Sequence, residues 1–445
     1  MRFQFNKATT LSFGASLVAI AAVGIMPSAA SAQSNPDAEC VLTEDQATAT
    51  LAGAQATGED ALACGGDAIA NGTGATATGS GATATGNGAS AYGNRANANG
   101  TSTTAVGALS VANGTAATAF GWQSNATGER AHAIGHIASA QGERSLAVGE
   151  AAQAQTAFST AIGNQAVANG VDALAVGDNA SSTGTSTTAV GGESVANGTA
   201  ATAFGWRANA TGERAHAIGH LASAQGERSM AIGEAAQAQS AFSTAIGNQA
   251  SATGVDALAL GDNASANGNS TSAIGGESVA TGPGASAFGW QAMATAERAQ
   301  AFGHLATAQG VRSLAVGENA DAQTANSTAI GNEAIANGID ALAIGDTALA
   351  QGNSTTALGG ESVATTPGAT ALGWQARATG AMGTAVGHQT TASGDQSFAG
   401  AEDAVASGSN SVAIGNTAQA TGGDSIAIGV NRDGATGRAT VATGP

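Results

Sequence analysis

Four tryptophans and four histidines are the residues of this chain best suited to recognition or catalysis, and both sets keep one spacing. Trp122, Trp206, Trp290 and Trp374 lie 84 residues apart, as do His136, His220, His304 and His388. Exposed indoles mark ligand-binding surfaces, so the four Trp are candidate ligand contacts. The competing expectation is packing over a neighbouring coil or chain. A regular set of imidazoles is compatible with metal binding. Two further histidines, His132 and His216, fall in a slot expected to face the core, which later holds Gln300 and Thr384, so no metal ligand is required there. Hydrogen-bonded polar packing is the expectation for the histidines, with no metal and no cofactor. Glu129-Arg130, Glu143-Arg144, Glu213-Arg214 and Glu227-Arg228 are expected to form ion pairs. Exposed pairs contribute only about 0–1 kcal/mol, so chain-to-chain register is their better role. Cys40 and Cys64 have no His nearby and are candidates for a disulfide after export. No phosphate-binding loop is present, since Lys7 is the chain's only lysine. No Ser-His-Asp arrangement stands apart from the repeat, and an enzyme is not expected.

The spacing of 84 is six times 14, and 14 is the period of the whole chain. Stepping by 14 from Gly65 reaches Gly at every position to Gly429 except Ala401, which sits beside Gly400. A second glycine series runs halfway between, through Gly72, Gly86, Gly100 and Gly114, and breaks at Thr156, Ser240 and Thr324. A strict period without slippage is the signature of a solenoid. Ser159-Thr160-Ala161-Ile162-Gly163 and Asn164-Gln165-Ala166-Val167-Ala168-Asn169-Gly170 each alternate with period two. Each half therefore reads as a short strand closed by a turn with positive φ. Two strands and two turns make one coil of a β-roll.

Before the main glycine, large apolar residues flank an alanine, as in Leu146-Ala147-Val148, Leu174-Ala175-Val176, Leu258-Ala259-Leu260 and Leu342-Ala343-Ile344. The expected core sets these large residues inward against alanines of the second strand, which fills a thin interior. Ala147, Ala175, Ala259 and Ala343 then face outward and become candidates for contact between chains. The block Ala-Thr-Ala-Phe-Gly-Trp at 117–122 returns at 201–206, so a six-coil cassette has been duplicated.

Of the 445 residues, 66 are Gly and only 3% are aromatic, which excludes ordinary globular domains. Proline is 5, against disorder, and Gly does not recur every third residue, against collagen. The net charge of −18 excludes charge-driven binding to nucleic acid or to an anionic membrane. Residues 1–32 read as a signal peptide. Arg2 and Lys7 precede an apolar stretch, and Ala30-Ser31-Ala32 forms a cleavage site before Gln33.

Ser411-Val412-Ala413-Ile414-Gly415-Asn416 and Asp424-Ser425-Ile426-Ala427-Ile428-Gly429 resemble the head repeat of trimeric autotransporter adhesins, the YadA-like head. The resemblance implies an all-β, left-handed parallel β-roll of 14-residue coils, assembled as a homotrimer. It also implies a surface adhesin of a Gram-negative bacterium, held at the outer membrane and binding extracellular matrix or host surfaces. The alternative is a passive spacer or fibre. On this reading, 33–57 is a lead-in, 58–429 the head and 430–445 a tail. Residues 386–445 hold one aromatic, Phe398, and no heptads. The expectation is therefore a fragment without the family's stalk and membrane anchor.

Overall fold

The computed structural model describes residues 40–42, 49–51, 53–429 and 441–442. The signal peptide with its Ala32–Gln33 cleavage site, most of the lead-in and most of the tail lie outside the described residues. What is described is a parallel β-solenoid built one 14-residue coil at a time. Each coil contributes a three-residue strand, such as Leu146–Val148, to a wide sheet and a two-residue strand, such as Gln153–Ala154, to a narrow one. The wide sheet runs to 28 strands. Register advances by one coil throughout: Leu146, Ala147 and Val148 face Thr160, Ala161 and Ile162. Residues 14 apart therefore stack in columns, which is why a 14-residue sequence period becomes a column of side chains.

The two glycine series answer two different physical demands. The main glycines close the wide strand with φ near +130°, as at Gly149 (φ 131°), a conformation that side chains disfavour. The second series has no positive φ, but a Cβ on Gly128 would lie only 2.0 Å from the carbonyl oxygen of Gly142. There the close approach of successive coils leaves no room for a side chain on the glycine. Where Thr156 breaks this series, its Oγ1 donates instead to the carbonyl of Gly170 at 2.6 Å. The left-handed turn positions themselves are filled by residues such as Arg144 (φ 54°), Ala151 (φ 54°) and Phe158 (φ 59°). Such a position costs roughly 1–2 kcal/mol for an L-residue. It is held because turn amides bond to the preceding coil, as Ala151 N–H does to the His136 carbonyl at 2.8 Å.

The interior reverses the expected facing. Ala147, Ala175, Ala259 and Ala343 are fully buried within a single chain, while the flanking Leu and Val residues are half-exposed. These alanines point into the coil and are not a contact surface between chains. Four side chains per coil turn inward, for example Ser145, Ala147, Ala152 and Ala154, and all four are inaccessible. The largest fully buried side chain type is threonine. A 14-residue coil brings its two sheets too close together for leucine, so the interior holds Ala, Ser and Thr, and Gly at Gly383. Most inward hydroxyls turn back to the carbonyl three residues earlier, as Ser145 Oγ does to Gly142 at 2.7 Å. That bond keeps a buried polar group satisfied, while Ser313, Ser362, Ser397 and Ser411 are buried without a partner.

At the N-terminal end, Cys40–Leu42 pairs antiparallel with Leu62–Cys64, and Ala49–Leu51 pairs antiparallel with Ala54–Ala56. Each sheet thereby ends on this side in a short antiparallel strand of three residues, a short edge that offers little to an added strand. Cys40 and Cys64 sit directly opposite one another and form a disulfide.

Candidate functional site

The position one residue after each main glycine lies on a turn, so its column runs along one edge of the solenoid. Through the second cassette that column reads Gly192, Trp206, His220, Glu234, Asn248, Asp262. The third repeats it as Gly276, Trp290, His304, Glu318, Asn332, Asp346. Each indole is about half-exposed, from 44% at Trp122 to 47% at Trp290. The histidine of the next coil stacks on it, with ring centroids 4.8 Å apart for Trp122–His136 and 5.0 Å for Trp206–His220. The His Nδ1 then meets the glutamate of the following coil at 3.3 Å, as His220 meets Glu234. Asn248 Nδ2 donates to Asp262 Oδ1 at 2.9 Å, and Asn332 to Asp346 likewise. The Trp positions thus join an ordered polar and aromatic ladder at the surface. Packing over a neighbouring coil and exposure both hold, because one face is stacked and the rest reaches solvent.

Beside the ladder lies a second column. Arg207 Nε meets Glu193 Oε2 at 3.3 Å, and the Arg207 guanidinium carbon lies 5.1 Å from the Trp206 ring centroid. One cassette on, Gln291 donates to Glu277 at 2.7 Å, and then Gln375 to Glu361 at 2.7 Å. On the opposite turn, Glu129–Arg130 (3.6 Å), Glu143–Arg144 (3.7 Å), Glu213–Arg214 (3.4 Å) and Glu227–Arg228 (3.5 Å) pair within their own coil, all about half-exposed. Arg144 also lies over Phe158, and Arg228 over Phe242, each at 5.5 Å. His132 and His216 face outward from the wide sheet rather than into the core. The outward turn follows from the same reversal that buries the alanines. Among the described residues, no group of three or more His, Cys, Asp or Glu is placed to hold a metal ion.

The sequence reading missed the outer surface of the wide sheet. There the residue just before each main glycine forms an apolar row that includes Phe120 (54% exposed), Ile134, Ile162, Phe204 (55%) and Leu260. Phe288 and Phe302 stack in it with centroids 5.1 Å apart. The available signal was side-chain size: one face of every strand holds only Ala, Ser or Thr, and only that face fits inside.

A parallel β-solenoid of duplicated cassettes, with an ordered edge and an apolar outer sheet, belongs to the class of repeat-built presenting rods. The chain belongs to the family described as YadA head domain repeat, which matches in fourteen segments from 56–82 to 406–431. That family consists of adhesin head domains and is not an enzyme family. A comparison with curated proteins finds no match.

Proposed function

We propose that the chain is the head of a homotrimeric adhesin, exported through its leader with cleavage after Ala32 and carried on the surface of a Gram-negative bacterium. It attaches there to matrix or host-surface ligands. The observation that supports assembly is the apolar row on the wide sheet. Phe120 and Phe204 are more than half exposed in one chain, and a contiguous apolar surface of this kind marks an interaction site. Packing three such rows together removes them from water, each large side chain contributing up to about 1.5–3 kcal/mol. Family membership supports the same assembly. Adhesion is multivalent on this reading, with the same edge repeated along the rod and on each chain.

The test compares the mature chain with forms lacking one or two 84-residue cassettes, measuring binding to immobilised collagen, fibronectin and whole cells. An adhesin of this design loses apparent affinity faster than it loses cassettes. Absence of saturable binding at every length across a broad panel leaves a passive spacer. Binding that ignores cassette number places a single site outside the repeats.

A further inference from the structure

The ladder edge contains a glycine notch in each of the cassettes of Trp206, Trp290 and Trp374, at Gly192, Gly276 and Gly360, and its walls have cation-binding chemistry. The glycine rung carries no side chain, so its backbone lies close to the pyrrole ring of the indole, and the neutral amides of Gln291 and Gln375 reach past it to Glu277 and Glu361. A Cβ on Gly276 would lie 3.1 Å from Trp290 Cδ1, and one on Gly360 would lie 3.2 Å from Trp374 Cδ1. The opposite indole face is taken by the stacked histidine. Across the missing rung, about two strand spacings or roughly 9.6 Å away, stands an aspartate: Asp262 before Trp290, Asp346 before Trp374. Beside the rung stands a glutamate, Glu277 or Glu361, exposed in both copies. An aromatic face with carboxylates around it attracts a cation through the ring quadrupole and direct charge together.

The chain itself shows what fits. In the cassette of Trp206, Arg207 leans back toward the preceding coil, pairs with Glu193 and lies over the indole. A guanidinium from within the chain therefore meets both the glutamate and the indole of this constellation. The next two cassettes keep the Gly, Trp, Asp and Glu but carry Gln291 and Gln375 where Arg207 stands. The first cassette keeps only the indole, with Asn94, Ala108 and Leu109 at the positions of Asp178, Gly192 and Glu193. One chain thus holds a self-filled copy, two copies with acids and no guanidinium at that position, and one copy without the acids.

We propose that the notches at Trp290 and Trp374 bind a guanidinium or ammonium group from outside, an arginine or lysine side chain of a partner polypeptide. The two sites lie six coils, roughly 29 Å, apart. A basic partner with cations at that interval engages both at once. The net charge of −18 steers such a partner toward the rod. The Trp290 notch is the cleaner of the two. Met293 stands near it where Arg377 stands near Glu361 and Gln375, lining the same surface pocket.

This inference supplies a ligand class for the proposed adhesin edge and draws its biological meaning from that reading. Its test is independent. The chain has four Trp, so a ¹⁵N spectrum of the full chain resolves four indole N–H signals, assigned by single Trp→Phe variants. Nα-acetyl-arginine amide is titrated, with the neutral isostere Nα-acetyl-citrulline amide and methyl glucoside as comparisons. The expected result is a saturable shift at Trp290, with Trp374 following and Trp122 and Trp206 unmoved. The effect weakens with added salt and is absent with citrulline. Gln291→Arg, which fills the notch from within, weakens the Trp290 response roughly tenfold. Arg207→Gln makes Trp206 respond. Both substitutions change exposed or half-exposed turn side chains, so the fold is retained. No shift at Trp290, equal shifts at all four indoles, an equal effect of citrulline, or a response to methyl glucoside alone overturns the proposal. Cassette-scaled adhesion with no arginine response sinks the notch and leaves the adhesin. An arginine response without adhesion does the reverse.

Discussion

At the scale of single residues, stability rests on what is small. Gly149 combines φ 131° with a would-be Cβ only 2.4 Å from the carbonyl oxygen of Gly163. Gly149→Ala is therefore expected to lower stability by several kcal/mol, since both strain and a backbone clash act against it. Ala175 is fully buried between two close sheets, and Ala175→Leu overpacks a space that accepts nothing larger than threonine. A loss of about 3 kcal/mol is expected. The exposed Arg130→Ala should lose no more than about 1 kcal/mol. Urea unfolding followed by far-ultraviolet circular dichroism separates these cases. Equal midpoints for Ala175→Leu and Arg130→Ala would reject the inward assignment of the alanines.

Each element is too short to stand alone, so its ladder neighbours and its outer face decide its behaviour. The N-terminal strands Cys40–Leu42 and Ala49–Leu51 cap the first described coils, and the Cys40–Cys64 disulfide ties the former to Leu62–Cys64. A bridge of this kind contributes typically about 2–4 kcal/mol. Reduction, or Cys40→Ser with Cys64→Ser, is expected to raise hydrogen exchange in residues 54–79 while the central cassettes stay protected. Uniform loss of protection along the chain would contradict a local cap. On the wide sheet, Phe120→Asp combined with Phe204→Asp places charge on the outward apolar row without touching the coil interior. Sedimentation is expected to show monomers that keep their β circular dichroism. Unchanged association would place the contact elsewhere.

For the whole molecule the strict register makes length a modular variable. The steps from Gly65 to Gly429, at about 4.8 Å per coil, give a rod on the order of 125 Å. Deleting residues 192–275 removes exactly one 84-residue cassette and joins identical column positions. Small-angle scattering should report a rod shorter by roughly 29 Å with unchanged cross-section. Deleting 192–271 removes four residues fewer and breaks the columns. Inward small residues then meet outward large ones, and the expected outcome is loss of cooperative unfolding or aggregation. A rod that tolerates both deletions equally would show that column identity is not what holds the coils together.

The period, the two strands per coil and the in-register stacking were legible in the sequence because each is a one-dimensional property. A glycine every 14 residues states the coil length, and alternation states that each strand has two unlike faces. Alternation does not state which face is inside, because turning a strand over preserves the pattern. The usual rule that large apolar residues fill the core pointed Leu146 and Val148 inward, and here it fails. The interior width is set by how tightly 14 residues can wind, and that width admits Ala147 and excludes leucine. The Trp edge was half legible. Spacing placed the four indoles in one column, whereas the histidine stack, the empty glycine rung and Arg207 lying over Trp206 arise only when successive coils are laid against one another. Sequence alone thus determined the columns and their order. Tertiary structure decided which columns face inward, and which side chains meet across neighbouring coils, because both depend on the distance between strands and not on the order of residues.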